Sequence, residues 1–146
     1  MRILMVCLGN ICRSPTAAAA LRAAAAEAGV AVEVDSAGTA GWHEGKGADP
    51  RTIEHARRRG LDLTAHRARR IRDDDFAAFD RVYAMDRANL RALVQRAPPT
   101  LQGRIALFLG DEEVPDPWAG GPGDFERVLD LCLAASRGIV TALARR

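Results

Sequence analysis

The sequence contains little cysteine and no long apolar run. Its three cysteines, Cys7, Cys12 and Cys132, are too few and odd in number for a disulfide framework, which fits a reducing compartment. No stretch is long and apolar enough to predict a membrane-spanning helix. The N-terminal apolar run leads into a polar loop and not into a small-residue cleavage site, so no signal peptide is predicted. We expect a cytoplasmic protein without a membrane association, while export without a signal peptide stays open.

Lysine is almost absent, and the net charge is small. Lys46 is the only lysine and no Gly-x-x-x-x-Gly-Lys-Ser/Thr sequence occurs, which excludes a nucleotide-binding P-loop. A net charge of +2 and a pI near 8.7 are too mild to indicate a nucleic-acid partner. Eight arginines lie between positions 51 and 72, but acidic residues interrupt them and no aromatic residue is interleaved. We interpret this segment as a solvated face.

The N-terminal segment predicts a strand, a loop and a helix in that order. Ile3 to Val6 is an apolar run of the length of a buried strand. Ser14 suits an N-cap, Pro15 suits the first helical position, and an alanine-rich tract follows as far as Gly29. A loop at a helix N-terminus has unpaired amide N–H groups and the positive end of the helix dipole. This loop therefore predicts a site for an anion such as phosphate.

Two side chains of this loop predict chemistry as well as binding. Cys7 stands where the strand ends, and Arg13 can hold two oxygens of a phosphoryl group with its planar guanidinium. The positive field that attracts phosphate also favours a thiolate, which Ser14 can stabilise with a hydrogen bond. Gly9 and Asn10 suit the positive φ values of a tight anion-binding loop. A cysteine that ends a strand is by itself most often a core residue, but the combination with Arg13 and Ser14 favours a nucleophile.

The rest of the chain predicts a single α/β domain over residues 1–146, with a four-stranded parallel sheet, helices on both faces and the phosphate-binding loop after strand 1. Ligands of such sheets lie beyond the carboxyl ends of the strands, where Cys7 and Ser36 both fall. Cys132 lies on the apolar stripe of the last helix and is expected in the core. Further strands are predicted at Val30–Val34, Arg81–Met85 and Ile105–Leu109. Further helices are predicted at Pro50–Gly60 with Asp49 as its cap, from the cap Asp86 to a stop at Pro98, and from Asp124 onward. Phe76–Phe79 is predicted as a short helical turn.

The run from Val6 to Pro15 resembles the signature of the low-molecular-weight protein tyrosine phosphatases. Further segments agree with that family in order and spacing, and the resemblance spans essentially the whole chain. These segments are Asp35-Ser36-Ala37-Gly38-Thr39, His66-Arg67-Ala68-Arg69, Asp75-Phe76, Met85-Asp86-Arg87-Ala88-Asn89-Leu90 and Asp116-Pro117-Trp118.

The resemblance implies a phosphotyrosine phosphatase that works through a phosphocysteine, without a metal or another cofactor. It makes Cys7 the nucleophile, Arg13 the phosphate clamp, and Asp116 the general acid and later base, ahead of its rivals Asp111, Glu112 and Glu113. The expected partners are phosphotyrosine-containing proteins, with a tyrosine kinase as one candidate, and inorganic phosphate is the product. The other expected site residues are Leu8, Gly9, Asn10, Ile11, Cys12 and Ser14 around the phosphate, Trp42 and Trp118 beside the aromatic ring, and Ser36 and His66 supporting the loop, with His66 bonded to Asn10.

Cys12 and Tyr83 bear on regulation. Cys12 shares the loop with Cys7, so an oxidised Cys7 can be captured as a reversible disulfide. Tyr83 is the only tyrosine, whereas many eukaryotic members carry tyrosines after the Asp-Pro pair. Control by phosphorylation of that loop is therefore not expected here.

Three alternatives remain at this point. Thiol-dependent arsenate reduction on the same fold needs cysteines outside the loop, and only Cys132 is available. Phosphoarginine phosphatases typically carry threonine where this chain has Ile11. A non-catalytic phosphopeptide-binding module would keep Arg13 but would have no need of Cys7 and Asp116.

Overall fold

Strand β1, Arg2–Cys7, forms the centre of the sheet and is buried from Ile3 onward. The computed structural model describes residues 1–145. Within them β1 pairs in parallel with β2 (Glu33–Gly38) and with β3 (Arg81–Ala84), and β3 pairs in parallel with β4 (Ile105–Leu107). The strand order is β2-β1-β3-β4. The predicted four-stranded parallel sheet is thereby confirmed.

Helices cover both faces of the sheet, as predicted. Alternate residues of β1 enter two separate cores, Ile3 and Met5 on one face and Leu4 and Val6 on the other, because successive strand side chains point to opposite sides. The first face carries α1 (Arg13–Ala28), α2 (Pro50–Arg58) and α5 (Pro122–Ala144), and the second carries α3 (Asp75–Ala78) and α4 (Arg87–Arg96).

The alanine-rich composition of α1 lets it pack closely on α5. Ala17, Ala20 and Leu21 are fully buried in the first core, and small side chains allow two helices to approach closely. Cys132 of α5 lies in the same core and is fully buried, which confirms its predicted place. None of the helices within the described residues is long and apolar enough to cross a membrane.

The start of α1 differs from its prediction. The helix begins at Arg13 with Cys12 at the N-cap position, and no side chain caps it. Ser14 and Pro15 therefore lie inside the first turn, and Ser14 is not the N-cap. The hydroxyl of Ser14 contacts Cys7 and Asn10. It therefore does not accept a hydrogen bond from the amides of the first helical turn, as the oxygen of an N-cap residue would.

Strand β2 begins later than predicted and extends further. Gly29, with φ of +68°, ends α1, and the Val30 amide donates to Ala25 O, so Val30 belongs to the helix end. The strand then continues through Asp35 and Ser36 as far as Gly38. Its register pairs Arg2 with Glu33 and Cys7 with Gly38, which brings Ser36 close behind the phosphate loop.

The remaining boundaries agree in type and shift by a few residues. Asp49 and Asp86 cap α2 and α4 as predicted. Helix α2 ends at Arg58, before Gly60, and β4 ends at Leu107 because the amide of Gly110 (φ +87°) turns back to Leu107 O. Strand β3 ends at Ala84 and α5 begins at Pro122. The sequence analysis missed a 3₁₀ helix at Pro99–Arg104.

A buried carboxylate joins α3 to the segment beneath the phosphate loop. Asp75 is buried and accepts hydrogen bonds from Arg69 Nη1 at 2.9 Å, Arg69 Nη2 at 3.2 Å and the Arg72 amide at 2.7 Å. Burial alone would raise the pKa of Asp75, but the bonds from Arg69 and Arg72 outweigh it and the pKa is lowered. The ionised form of Asp75 therefore stabilises the folded state.

We predict that Asp75→Asn lowers the free energy of unfolding by about 2 kcal/mol at pH 7, less than a fully buried pair because Arg69 reaches solvent. The contribution is complete above the unfolded carboxyl pKa of about 4 and is lost as the pH falls through the lower folded pKa. Urea unfolding at pH 7 and at pH 3 measures both effects. The matched control is Asp74→Asn, an exposed neighbour, which should change stability by less than about 0.5 kcal/mol. Equal losses in the two variants would contradict the prediction.

Candidate active site

The backbone of the loop between β1 and α1 is hydrogen-bonded to two neighbouring segments. Thr39 and Ala40, just after β2, donate their amides to Cys7 O at 2.9 Å and Leu8 O at 3.0 Å. The Asp49 amide donates to Ile11 O at 2.9 Å. These bonds satisfy carbonyls on the outside of the loop, which leaves its other side free to face a ligand.

Asn10 is the hub of the loop. Within residues 1–145 it is the only non-glycine residue with a positive φ, +58°, a value that asparagine tolerates. Its side-chain nitrogen donates to Ser14 Oγ at 2.8 Å and Ser36 Oγ at 2.9 Å, and its side-chain oxygen accepts from the Arg69 amide at 3.0 Å. Asn10 is fully buried, so these bonds fix the loop from beneath.

His66 supports the same residue. Its Nε2 lies 2.7 Å from Asn10 O, so Nε2 carries a proton and donates. Burial lowers the pKa of His66, although the bond to Asn10 opposes that shift, and the ring is therefore neutral at pH 7. The hydrogen bond predicted between His66 and Asn10 is present. Ser36, predicted to support the loop, also reaches it through Asn10.

Cys7 Sγ lies within hydrogen-bond distance of two groups that can donate. The Asn10 amide lies 3.3 Å from it, and Ser14 Oγ lies 3.0 Å away. Ser14 Oγ also accepts a bond from Asn10 Nδ2, and its own proton stays available to donate to the sulfur. A Cys7 thiolate would accept from both groups.

Cys12, the other cysteine of the loop, stays protonated. Burial is the main cause that raises its pKa to about 12, and Asp49 and Cys7 add to the effect, while the nearby Thr52 hydroxyl opposes it. A thiol is a far weaker nucleophile than a thiolate. The surroundings of Cys12 therefore hold it in its less reactive form.

Arg13 lies beneath the pocket, only 4% exposed, and is held by a residue that the sequence analysis described only as a helix cap. Its Nη1 donates to Asp86 Oδ2 at 2.7 Å and to Val114 O at 3.1 Å. Burial alone would lower the pKa of Arg13, but Cys7, Asp86 and Asp116 raise it overall, so the guanidinium stays charged. Asp86 also accepts from the Asn89 amide at the start of α4. One carboxylate thus caps a helix and orients the Arg13 guanidinium.

Asp116 reaches the same guanidinium from the opposite wall. Its Oδ2 lies 3.8 Å from Arg13 Nη2, its Oδ1 accepts from the Trp118 amide at 3.1 Å, and its side chain is 51% exposed. Its rivals lie elsewhere. Glu113 accepts from the Arg87 amide, and Asp111 and Glu112 line a different groove. Of these four acidic residues, Asp116 alone faces Cys7 and Arg13.

The side chains of this region enclose a pocket of about 240 Å³ with largely apolar walls. Trp42 and Trp118 stand at its rim and are 69% and 58% exposed. A flat aromatic group fits between such walls. The lining residues are Cys7, Leu8, Gly9, Ile11, Cys12, Arg13, Trp42, His43, Asp116 and Trp118.

Asn10 and Ser14 show the positive φ and the contact with Cys7 that were predicted for them, whereas Gly9 differs from its prediction. The side chains of Asn10 and Ser14 lie below the pocket and do not line it. Gly9 does not have a positive φ. A Cβ at Gly9 would lie 3.0 Å from His43 Cδ2, so a larger residue here would require the His43 ring to move. His43 was missed, and its only sequence signal is its place beside Trp42.

Known proteins match this chain over nearly its whole length. A family model described as "Low molecular weight phosphotyrosine protein phosphatase" matches residues 2–146. A low molecular weight protein-tyrosine-phosphatase of Streptomyces coelicolor is 44% identical, over 97% of this chain and 93% of that protein. The low molecular weight phosphotyrosine protein phosphatase of Sus scrofa is 36% identical, over 94% and 92%.

A crystal structure agrees with the fold as well. The protein tyrosine phosphatase of Entamoeba histolytica, solved with Hepes in its active site, superposes with a TM-score of 0.95 at 35% identity, covering 99% of this chain and 97% of that one. The architecture around the pocket is therefore similar to that of a solved tyrosine phosphatase.

We predict that Asp86→Asn lowers kcat/KM for p-nitrophenyl phosphate about 10-fold, or about 1.4 kcal/mol, because an amide no longer holds Arg13 by charge. Inhibition by inorganic phosphate should weaken in parallel. Asparagine is an equally good N-cap, so the free energy of unfolding should change by less than about 1 kcal/mol. Glu113→Gln, which also removes a carboxylate at the start of α4, is the control. Unchanged inhibition by phosphate in Asp86→Asn would show that Arg13 needs no such tether.

Proposed function

Since the chain belongs to the low molecular weight phosphotyrosine protein phosphatase family, we propose that it hydrolyses phosphotyrosine with Cys7 as nucleophile, Arg13 as phosphate clamp and Asp116 as general acid and base. The observation that carries these roles is the meeting of the three residues at one pocket, where Cys7 Sγ has two donors and Arg13 lies 3.8 Å from Asp116.

In the first step the Cys7 thiolate attacks phosphorus, and the P–O bond to the tyrosyl oxygen breaks. Arg13 and the amides of the loop hold the other phosphoryl oxygens as their charge redistributes. Asp116 donates its proton to the leaving oxygen, whose conjugate acid has a pKa of about 10, and this is worth about 100- to 10,000-fold in rate. The products are phosphocysteine and the dephosphorylated tyrosine.

In the second step the ionised Asp116 takes a proton from a water molecule that attacks phosphorus. The S–P bond breaks, inorganic phosphate leaves, and the sulfur returns to the thiolate. The hydrogen bond from Ser14 at 3.0 Å stabilises the charge that forms on the departing sulfur. The same donor thus assists attack and release.

The walls of the pocket support selectivity for aryl phosphates. Trp42 and Trp118 flank the space above Cys7, and an aromatic ring between them buries apolar surface that phosphoserine lacks. The substrates we propose are phosphotyrosine proteins of the cytoplasm, with a tyrosine kinase as one candidate.

The state of Cys12 supports a reversible protection of Cys7. Peroxide would convert the Cys7 thiolate to a sulfenic acid, and the Cys12 thiol would then displace water to form the disulfide. Because the Cys12 pKa is about 12, Cys12 is itself resistant to direct oxidation by peroxide.

We predict that the wild type hydrolyses p-nitrophenyl phosphate in the presence of a chelator, with a burst of nitrophenolate in rapid mixing when phosphocysteine breakdown limits turnover. Cys7→Ser should lose on the order of 1,000-fold or more, because the hydroxyl is a weak nucleophile at neutral pH. Cys132→Ala is the control for loss of a thiol that does not line the pocket. No turnover by the wild type under reducing conditions would overturn the proposal.

A further inference from the structure

Side chains of α2 contact the first turn of α5 on one side. The ring of Phe125 is buried between two groups, the Arg51 guanidinium at 4.7 Å from its centre and the His55 ring at 5.6 Å, with an interplanar angle of 11°. Arg51 is held in turn by Asp49, with Nη2 at 2.9 Å from Oδ2. A cation over an aromatic face and a stacked ring both favour this position of Phe125.

Glu126, the next residue, makes two further contacts with the α2 side. One of its oxygens, Oε2, is hydrogen-bonded to His55 Nδ1, and the other accepts from Arg59 at 3.0 Å. Arg59 also reaches Asp130 at 2.7 Å, one turn further along α5. Arg51, His55 and Arg59 are four residues apart and share one side of α2. We call these three residues and Glu126 the α2–α5 clamp.

The turn held by the clamp carries the Asp116 loop. The amide of Gly121 donates to Asp124 Oδ2 at 2.8 Å, and the amide of Gly120 donates to Pro117 O at 2.8 Å. Pro117 is buried, and together with His55, Phe125 and Cys12 it lines a small cavity below the loop. The position of the loop therefore follows the position of the first turn of α5.

The loop has little else to fix it at this end. Asp116 and Trp118 are exposed. The other anchors of the loop are the hydrogen bond from the Val114 amide to Met85 O at 2.7 Å and two contacts of Arg13, with Val114 O at 3.1 Å and with Asp116 Oδ2 at 3.8 Å. A proton donor has to lie within hydrogen-bond distance of the leaving oxygen, and a displacement of about 1 Å can cost on the order of 100-fold in rate.

We propose that the α2–α5 clamp positions Asp116 for proton transfer. Glu126 and His55 lie outside the pocket and thus act in catalysis through the Asp116 loop. This inference rests on the proposed role of Asp116. It makes Glu126 and His55 positioning residues whose loss affects the donation of the proton more than the attack of Cys7.

The test compares kcat/KM for two substrates with different need for a proton. Phenyl phosphate releases a basic phenolate with a conjugate-acid pKa of about 10, whereas 2,4-dinitrophenyl phosphate releases a stable anion. We expect Glu126→Ala to lower kcat/KM for phenyl phosphate about 10-fold, a part of the contribution of general acid catalysis, and for 2,4-dinitrophenyl phosphate by less than about 2-fold. Glu126→Gln keeps an acceptor for His55 and should recover part of the loss.

The matched control is Glu54→Ala. Glu54 pairs with Arg57 and Arg58 on an exposed side of the same helix and lies outside the clamp, so this variant should match the wild type on both substrates. Asp116→Asn sets the full effect and should lose on the order of 100-fold or more, with phenyl phosphate alone strongly affected.

Each outcome decides between two statements. A selective loss in Glu126→Ala supports the clamp. An equal loss on both substrates means that Glu126 only maintains the fold, and no loss on either substrate means that it does not position the acid; either result overturns the inference. If Asp116→Asn itself shows no selective loss, the acid role of Asp116 fails, and the clamp fails with it.

Discussion

The hydrogen bonds of Asn10 are the constraint on which the rest of the site depends. One buried residue in a left-handed conformation joins the phosphate loop to β2 through Ser36, to the segment after α2 through Arg69 and His66, and to the nucleophile through its own amide and through Ser14. An unpaired buried polar group costs about 1–3 kcal/mol, so the loop has one well-satisfied conformation. The fold thus prepares the anion site before a ligand arrives.

Arg13 connects this rigid loop with the more exposed part of the pocket. Its contacts to Asp86 and Asp116 come from two different connections of the sheet, and both lie at the carboxyl ends of the strands. The guanidinium proposed to bind phosphate therefore also faces the proposed proton donor. Since opposite charges surround it, the pocket places a permanent cation beside Cys7 without exposing that cation to solvent.

Local patterns predicted the parts of the site that are contiguous in sequence. The strand, the loop with Cys7 and Arg13, and the caps Asp49 and Asp86 follow from apolar runs and capping residues. The same rules misplaced Ser14 as an N-cap, because its hydroxyl serves the sulfur, and functional sites are where local rules fail. The contact of Arg13 with Asp86, 73 positions apart, and the place of His43 against Gly9 arise only when the sheet brings distant segments together, and no single-sequence pattern marks such pairs.

Both tryptophans of the chain stand at the mouth of the pocket, largely in water. The tryptophan fluorescence of this protein therefore comes only from residues at the mouth of the pocket. It reports the polarity of the space above Cys7, with no background from a buried tryptophan. A bound aryl ring would dehydrate the two indoles together, so occupancy of the pocket becomes readable in the unlabelled protein as a change in emission colour and intensity.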